Sequence, residues 1–147
     1  MPVELHPFTD IVDIITRTIA RMQGAAMDAG EFADLSMRQI TCLDLIAHLE
    51  EPTATDLARM LQVTKPTVSA LLARLVQNGY VRKERSRADA RAWHMHLTER
   101  GAAVMAAHRA VHERIAAHLV RDLDDTERAQ LVALLSKVVD SLPDEPN

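Results

Sequence analysis

The hydrophobic period of the chain changes at Gly79, and that change restricts the fold more than any other feature. Before it, apolar residues recur at helical spacing; after it the spacing is two, the period of a strand. Tyr80 to Arg85 reads as one strand, Ser86 to Arg91 as a polar turn, and Trp93, Met95 and Leu97 alternate with His94 and His96 as a returning strand. Two short helices precede this hairpin. Thr53 with Asp56 opens the first, which runs through Leu61; Thr64 caps the second, which runs to Asn78 with Pro66 in its first turn and Gly79 as its stop. Only Leu61-Gln62-Val63-Thr64 joins them.

Helix, tight turn, helix and two-stranded ribbon is the order of a winged helix-turn-helix. Leu57, Ala58 and Leu61 form the inward face of the first short helix, with small Ala58 permitting a close crossing. The second turns Val68, Leu71, Leu72 and Leu75 to the core. Longer helices flank the module. Phe8, Ile11, Val12, Ile15, Ile19 and Met22 mark one from Phe8 to about Met27, with Gly24 and Gly30 weakening its end. Ser36 and Gln39 form a capping box for the next, with Ile40, Leu43, Ile46 and Ala47 spaced for burial and Pro52 as its end. Thr98 caps a helix from about Glu99 to Leu119, and Asp124 with Glu127 opens a last one ending near Leu142.

The expected fold class is mainly α with a small β-hairpin wing. A chain of 147 residues without a repeat or a long linker is expected to form one domain, 1–147. Within it, about 36–97 would be the winged-helix region and about 8–30 and 99–142 dimerization helices. Hydrophobic residues at 48% and charged residues at 26% exclude disordered and low-complexity classes. No stretch approaches a membrane span and the N-terminus lacks a signal-peptide pattern, so a cytoplasmic protein without a membrane partner is expected.

The net charge of −4 conceals an asymmetry. From Arg59 to Arg100, nine basic residues face three acids, a local charge of +6 against −10 for the remainder. A basic segment in an acidic chain is the footprint of a module that meets phosphates, and here it coincides with the helix-turn-helix and the hairpin. The exposed face of the second short helix carries Lys65, Pro66, Thr67, Ser69, Ala70 and Arg74. Recognition helices read the major groove from their N-terminal end. Thr67 and Ser69 are therefore candidates for base edges, the Thr67 methyl or Ala70 for a thymine methyl, and Lys65 and Arg74 for phosphates. Arg87 and Arg91 at the ribbon tip suit a narrow minor groove, with Asp89 orienting a neighbouring arginine.

Thr64-Lys65-Pro66-Thr67-Val68-Ser69, Leu75-Val76-Gln77-Asn78-Gly79-Tyr80-Val81, Asp89-Ala90-Arg91 and Leu97-Thr98-Glu99-Arg100-Gly101 resemble, in order and spacing, the multiple antibiotic resistance regulator (MarR) family. The resemblance is close in the centre and looser over nearly the whole chain. It departs at Ser86, where the family usually has Asp. It implies a homodimeric, mostly repressing transcription factor on a pseudo-palindromic operator of double-stranded DNA, often released by a small ligand. The apolar stripes point to a dimer independently: a module of about 36–97 does not need Leu131, Leu134, Leu135, Val138 and Leu142, or the stripe of the first helix. The alternative is that these helices fold over the core of a monomer.

His108 and His112 stand four apart on one helix, as two metal ligands must. No cofactor is required for the fold; a regulatory zinc or a small organic effector are both open. Zinc-sensing MarR members resemble this chain in their histidine pair, but their further ligands would fall near Gln23 and Thr41; Cys42, Asp28 and Glu31 are candidate substitutes. His94 and His96 share a strand face and form a weaker pair. Cys42, the only cysteine, permits no intrachain disulfide and has no basic neighbour to make it an oxidation sensor. Two other classes stay open: a metal-dependent hydrolase built on His108, His112 and an acid, though no catalytic motif accompanies them, and a winged helix used for protein contacts.

Overall fold

The computed structural model describes residues 5–30, 32, 35–87 and 89–142. Six helices and one hairpin follow in the order α1 (Leu5–Asp28), α2 (Met37–His48), α3 (Ala54–Met60), α4 (Lys65–Gln77), β1 (Val81–Arg85), β2 (Trp93–Leu97), α5 (Glu99–Leu119) and α6 (Asp125–Ser141). The helix starts are written in short-range chemistry. Ser36 with Gln39, Thr53 with Asp56 and Asp124 with Glu127 each form a reciprocal capping box, and Thr64 and Thr98 cap α4 and α5 by accepting a backbone N–H. At the end of α4, Gly79 adopts a left-handed φ of 75°. Its N–H donates to Val76 O and that of Tyr80 to Leu75 O, closing a Schellman motif whose Leu75 and Tyr80 side chains are both buried.

The tight turn between α3 and α4 is made without glycine. Gln62 takes φ 52° while the Val63 N–H donates to Ala58 O at 3.0 Å, and a non-glycine residue in that region costs about 1 kcal/mol. The closely packed core offsets it. Leu57 and Ala58 of α3 meet Val68, Leu72 and Leu75 of α4, with Ile40, Cys42, Leu43 and Ile46 of α2, Val81 and Met95 of the hairpin, and Val104, Val111 and Ile115 of α5.

Two expectations need correction. Helix α2 stops at His48, well before Pro52, because Leu49 is extended and Glu51 stands in the left-handed region at φ 48°, where the α conformation is disfavoured ahead of a proline. The chain freed in this way becomes a sheet edge: Pro52 O accepts from Met95 N–H, and Thr53 bridges to His94. Ala47 is exposed and Cys42 takes a core position in its place. Leu61 and Leu71 are half-buried and pack against the core, as their inward spacing requires. Trp93, on the same strand face as buried Met95, is 47% exposed because it lies beyond the edge of the core.

The outer helices contrast with this core. Ala26 of α1 is buried, with Ile19, Met22 and Met27 packed against the core, but Phe8, Ile11, Val12, Ile14 and Ile15 are exposed. Helix α6 buries none of its residues, and Leu134, Leu135, Val138 and Leu142 lie in solvent. No helix is long and apolar enough to cross a membrane among the described residues.

Candidate nucleic-acid interface

Burying Val68, Leu72 and Leu75 turns the opposite face of α4 outward, so Lys65, Pro66, Thr67, Ser69, Ala70 and Arg74 are all exposed on it. The Thr67 hydroxyl is 2.8 Å from that of Thr64 and shares in the cap, which leaves its methyl the more available part. A shallow groove beside this face is lined by Thr67, Ala70 and Arg74 together with Ser36, Arg38 and Gln39 at the start of α2. Arg38 has no signature in the sequence because it lies outside the basic segment; only packing brings α2 beside the exposed face of α4.

β1 and β2 pair antiparallel with Val81 opposite Leu97 and Arg85 opposite Trp93. The turn between them is held by local bonds. Ser86 N–H donates to Ala92 O at 3.0 Å, Arg85 Nε to Ala90 O at 2.7 Å, and Arg91 N–H to the Asp89 carboxylate at 2.9 Å. Asp89 therefore positions Arg91 through its backbone amide. Arg87 and Arg91 are exposed at the tip.

The structure also sorts the basic residues. Arg59 pairs with Asp56 at 3.3 Å and Arg82 with Glu84 at 2.6 Å, and the Arg82 guanidinium holds the Glu84 carboxyl below the usual carboxylate range. Hydrogen bonds from Thr53 do the same to Asp56. Arg100 lies over the Tyr80 ring at 4.5 Å and donates to Asn78 O, so it fastens the start of α5 to the end of α4. The exposed α4 face and the wing keep Lys65, Arg74, Lys83, Arg85, Arg87 and Arg91, all exposed.

His108 and His112 come together with ring centroids 4.3 Å apart, and the edge of buried Phe32 meets His108 at 5.6 Å. Burial, with His112 beside it, holds His108 below its ordinary value, opposed by Asp44. Gln23 of α1 brings its amide nitrogen to 3.4 Å from His112 Nε2. Cys42 does not join them as an ionised ligand: it is wholly buried and burial pushes its thiol up to about 12. Thr41 is exposed and spends its hydroxyl on Met37 O, while Glu31 lies outside the described residues. Among the described residues no three His, Cys, Asp or Glu side chains are grouped to hold a metal, at this pair or at His94 and His96. His94 Nδ1 is instead hydrogen-bonded with Glu51 O, and His96 lies 3.8 Å from Glu84.

The profile of the MarR family matches residues 33–92, from the last residues before α2 to the wing. Solved structures extend the likeness to the whole architecture. An S. aureus MepR variant superposes with a TM-score of 0.71 at 27% identity, covering 91% of this chain and 97% of that one. A second MepR variant, bound to an oligodeoxyribonucleotide, gives 0.66 at 27% identity over 91% and 96%. Streptococcus pneumoniae FabT in complex with DNA gives 0.76 at 22% identity over 93% and 96%, a likeness of fold. No curated protein matches in sequence. With its head matched by the family profile and its architecture shared over about nine-tenths of its length with solved winged-helix regulators, the chain is similar to the MarR family.

Proposed function

We propose that the chain is a sequence-specific DNA-binding transcription regulator that works as a homodimer, a repressor released by a small ligand. The observation that carries this reading is the pairing of an exposed, cationic α4 face with a wing tip bearing Arg87 and Arg91, on a core that leaves both faces outward. The α4 N-terminus enters a major groove; Thr67, Ser69 and Ala70 meet base edges, and Lys65 and Arg74 hold phosphates. Arg91, set by Asp89, enters the flanking minor groove. The MepR and FabT structures that contain DNA support this partner.

The dimer explains the apolar residues left in water on α1 and α6. A two-fold pair of heads suits half-sites about 34 to 36 Å apart. The region of Gln23, Phe32, His108 and His112, where α1 and α5 adjoin the head, is where a ligand would alter the separation of the heads. Release requires the ligand to favour the incompatible conformer, with couplings of about 1 to 3 kcal/mol.

The test is fluorescence anisotropy of labelled duplexes tiling the chain's own promoter, with wild type and Arg91→Ala. Specific binding of the wild type is expected, and a loss of about tenfold in the variant with a salt slope reduced by about one. Undiminished affinity of Arg91→Ala at moderate salt overturns the wing assignment, and absence of any specific duplex overturns the reading.

A further inference from the structure

The wing carries an exposed tryptophan that the recognition scheme above does not use. Lys83, Arg85, Trp93 and Met95 share one face of the hairpin, since Lys83 pairs with Met95 and Arg85 with Trp93. Met95 seals that face into the core, whereas Trp93, one step toward the tip, is left 47% exposed. The Arg85 guanidinium lies 6.0 Å from its ring centroid. Between this face and the start of α3 runs an open groove of about 370 Å³, lined by Thr53, Thr55, Lys83, Asp89, Arg91 and Trp93.

The groove combines one flat apolar plate, two exposed cations and threonine hydroxyls. Its single carboxylate, Asp89, accepts from the Arg91 amide within the turn. A deoxyribose-phosphate strand presents the complement: an apolar sugar face between anionic phosphates. An apolar peptide would bring no anion to Lys83 and Arg91. The groove is also continuous with the wing tip through Arg91.

We infer that Trp93 is a DNA-contact residue, its indole packing on a sugar of the strand that borders the minor groove, with Lys83 on the adjoining phosphate and Arg91 continuing past it into the groove. This rests on the DNA-binding reading above and deepens it. Such a contact positions the protein on the duplex and carries no base preference of its own.

Trp93 is the only tryptophan in the chain, so it reports on itself. The full-length protein is titrated with a fluorescein-labelled promoter duplex, reading DNA anisotropy and, in parallel samples with unlabelled duplex, acrylamide quenching of tryptophan emission. Bound DNA is expected to shield Trp93 from acrylamide, with the midpoint of the anisotropy curve. Trp93→Ala is expected to bind about five- to tenfold more weakly, toward the low end of what aromatic stacking on nucleic acid is worth. The loss should be equal for specific and scrambled duplexes, and Trp93→Phe should restore most of it. Binding that leaves Trp93 as open to acrylamide as in the free protein overturns the inference and leaves the DNA-binding reading standing. No anisotropy change with any duplex removes both. Shielding that grows with protein concentration in the absence of DNA assigns the groove to a second copy of the chain and overturns the inference.

Discussion

The head, from α2 to β2, and the outer helices use their apolar residues in opposite ways. Ile40, Leu43, Leu57, Val68, Leu72 and Leu75 are essentially inaccessible, gathered from three helices that contact one another within one chain. Leu134, Leu135 and Val138 have the same helical spacing on α6 and lie in water, as do Phe8, Ile11 and Ile14 on α1. The difference teaches that an amphipathic stripe specifies a helix and a face, but not what covers the face. Small, closely spaced elements can satisfy one another; a terminal helix can find nothing left in its own chain to pack on.

The strongest way to break this contrast is to put charge into the α6 stripe. Leu134→Asp with Val138→Asp is expected to shift sedimentation from a dimer to the 16.4 kDa chain. Operator affinity should then fall by about 100-fold or more, because linking two heads is worth 10² to 10⁴ in avidity. A wild-type chain that sediments as a monomer at micromolar concentration would sink the proposed dimer.

Inside the head the same chemistry is stability alone. Leu72→Ala removes a side chain that is 1% exposed, and a cost of about 2 to 5 kcal/mol in denaturant unfolding is expected. Sedimentation should remain that of the wild type. A cost under about 1 kcal/mol would mean that the site relaxes to fill the space.

The seam between the two regions is sharpened by Gly101. A Cβ at this position would overlap the Tyr80 carbonyl oxygen, which accepts from Thr98 N–H at 3.1 Å. Helix propensity alone makes Gly101→Ala stabilising by about 1 kcal/mol. The close approach instead predicts destabilisation by about 1 to 3 kcal/mol. The sign of the shift in melting temperature decides between them.

The smallest effect expected is a pH dependence at His108. Because its folded pKa is depressed, the unfolded chain takes up a proton that the folded one resists. Stability should therefore be full above about 6.5, the ordinary histidine value, and decline as pH falls below it toward the folded value. His108→Gln should flatten unfolding free energies measured between pH 7.5 and 5.5, and an unchanged slope would remove His108 as their cause.

Much of the head was legible because its signals are short-range. Ser36 with Gln39 and Thr53 with Asp56 satisfy helix N-termini within three residues, and Gly79 marks a turn that only its own backbone requires. The exposed face of α4 followed from the same periodicity: once Val68, Leu72 and Leu75 are buried, Lys65, Thr67, Ser69 and Arg74 must point outward. Arg38 and the sheet edge at Pro52 and Thr53 were not legible, since neither has a local signature and each depends on which element packs beside it. Trp93 was read as part of an alternating strand, but alternation gives a face and not the point at which the core under it ends.

Sequence alone therefore determined the element order, the caps, the inward faces of α3 and α4 and the concentration of positive charge on one module. All of these are set by hydrogen bonds and side-chain periods within a few residues. Only the tertiary structure decided which arginines are paired with neighbouring carboxylates or fasten α5 to α4, that Cys42 is sealed away and Trp93 is not, and that Gly101 is held against Tyr80. Those outcomes depend on distances between segments far apart in the chain, and such distances exist only after the helices have packed.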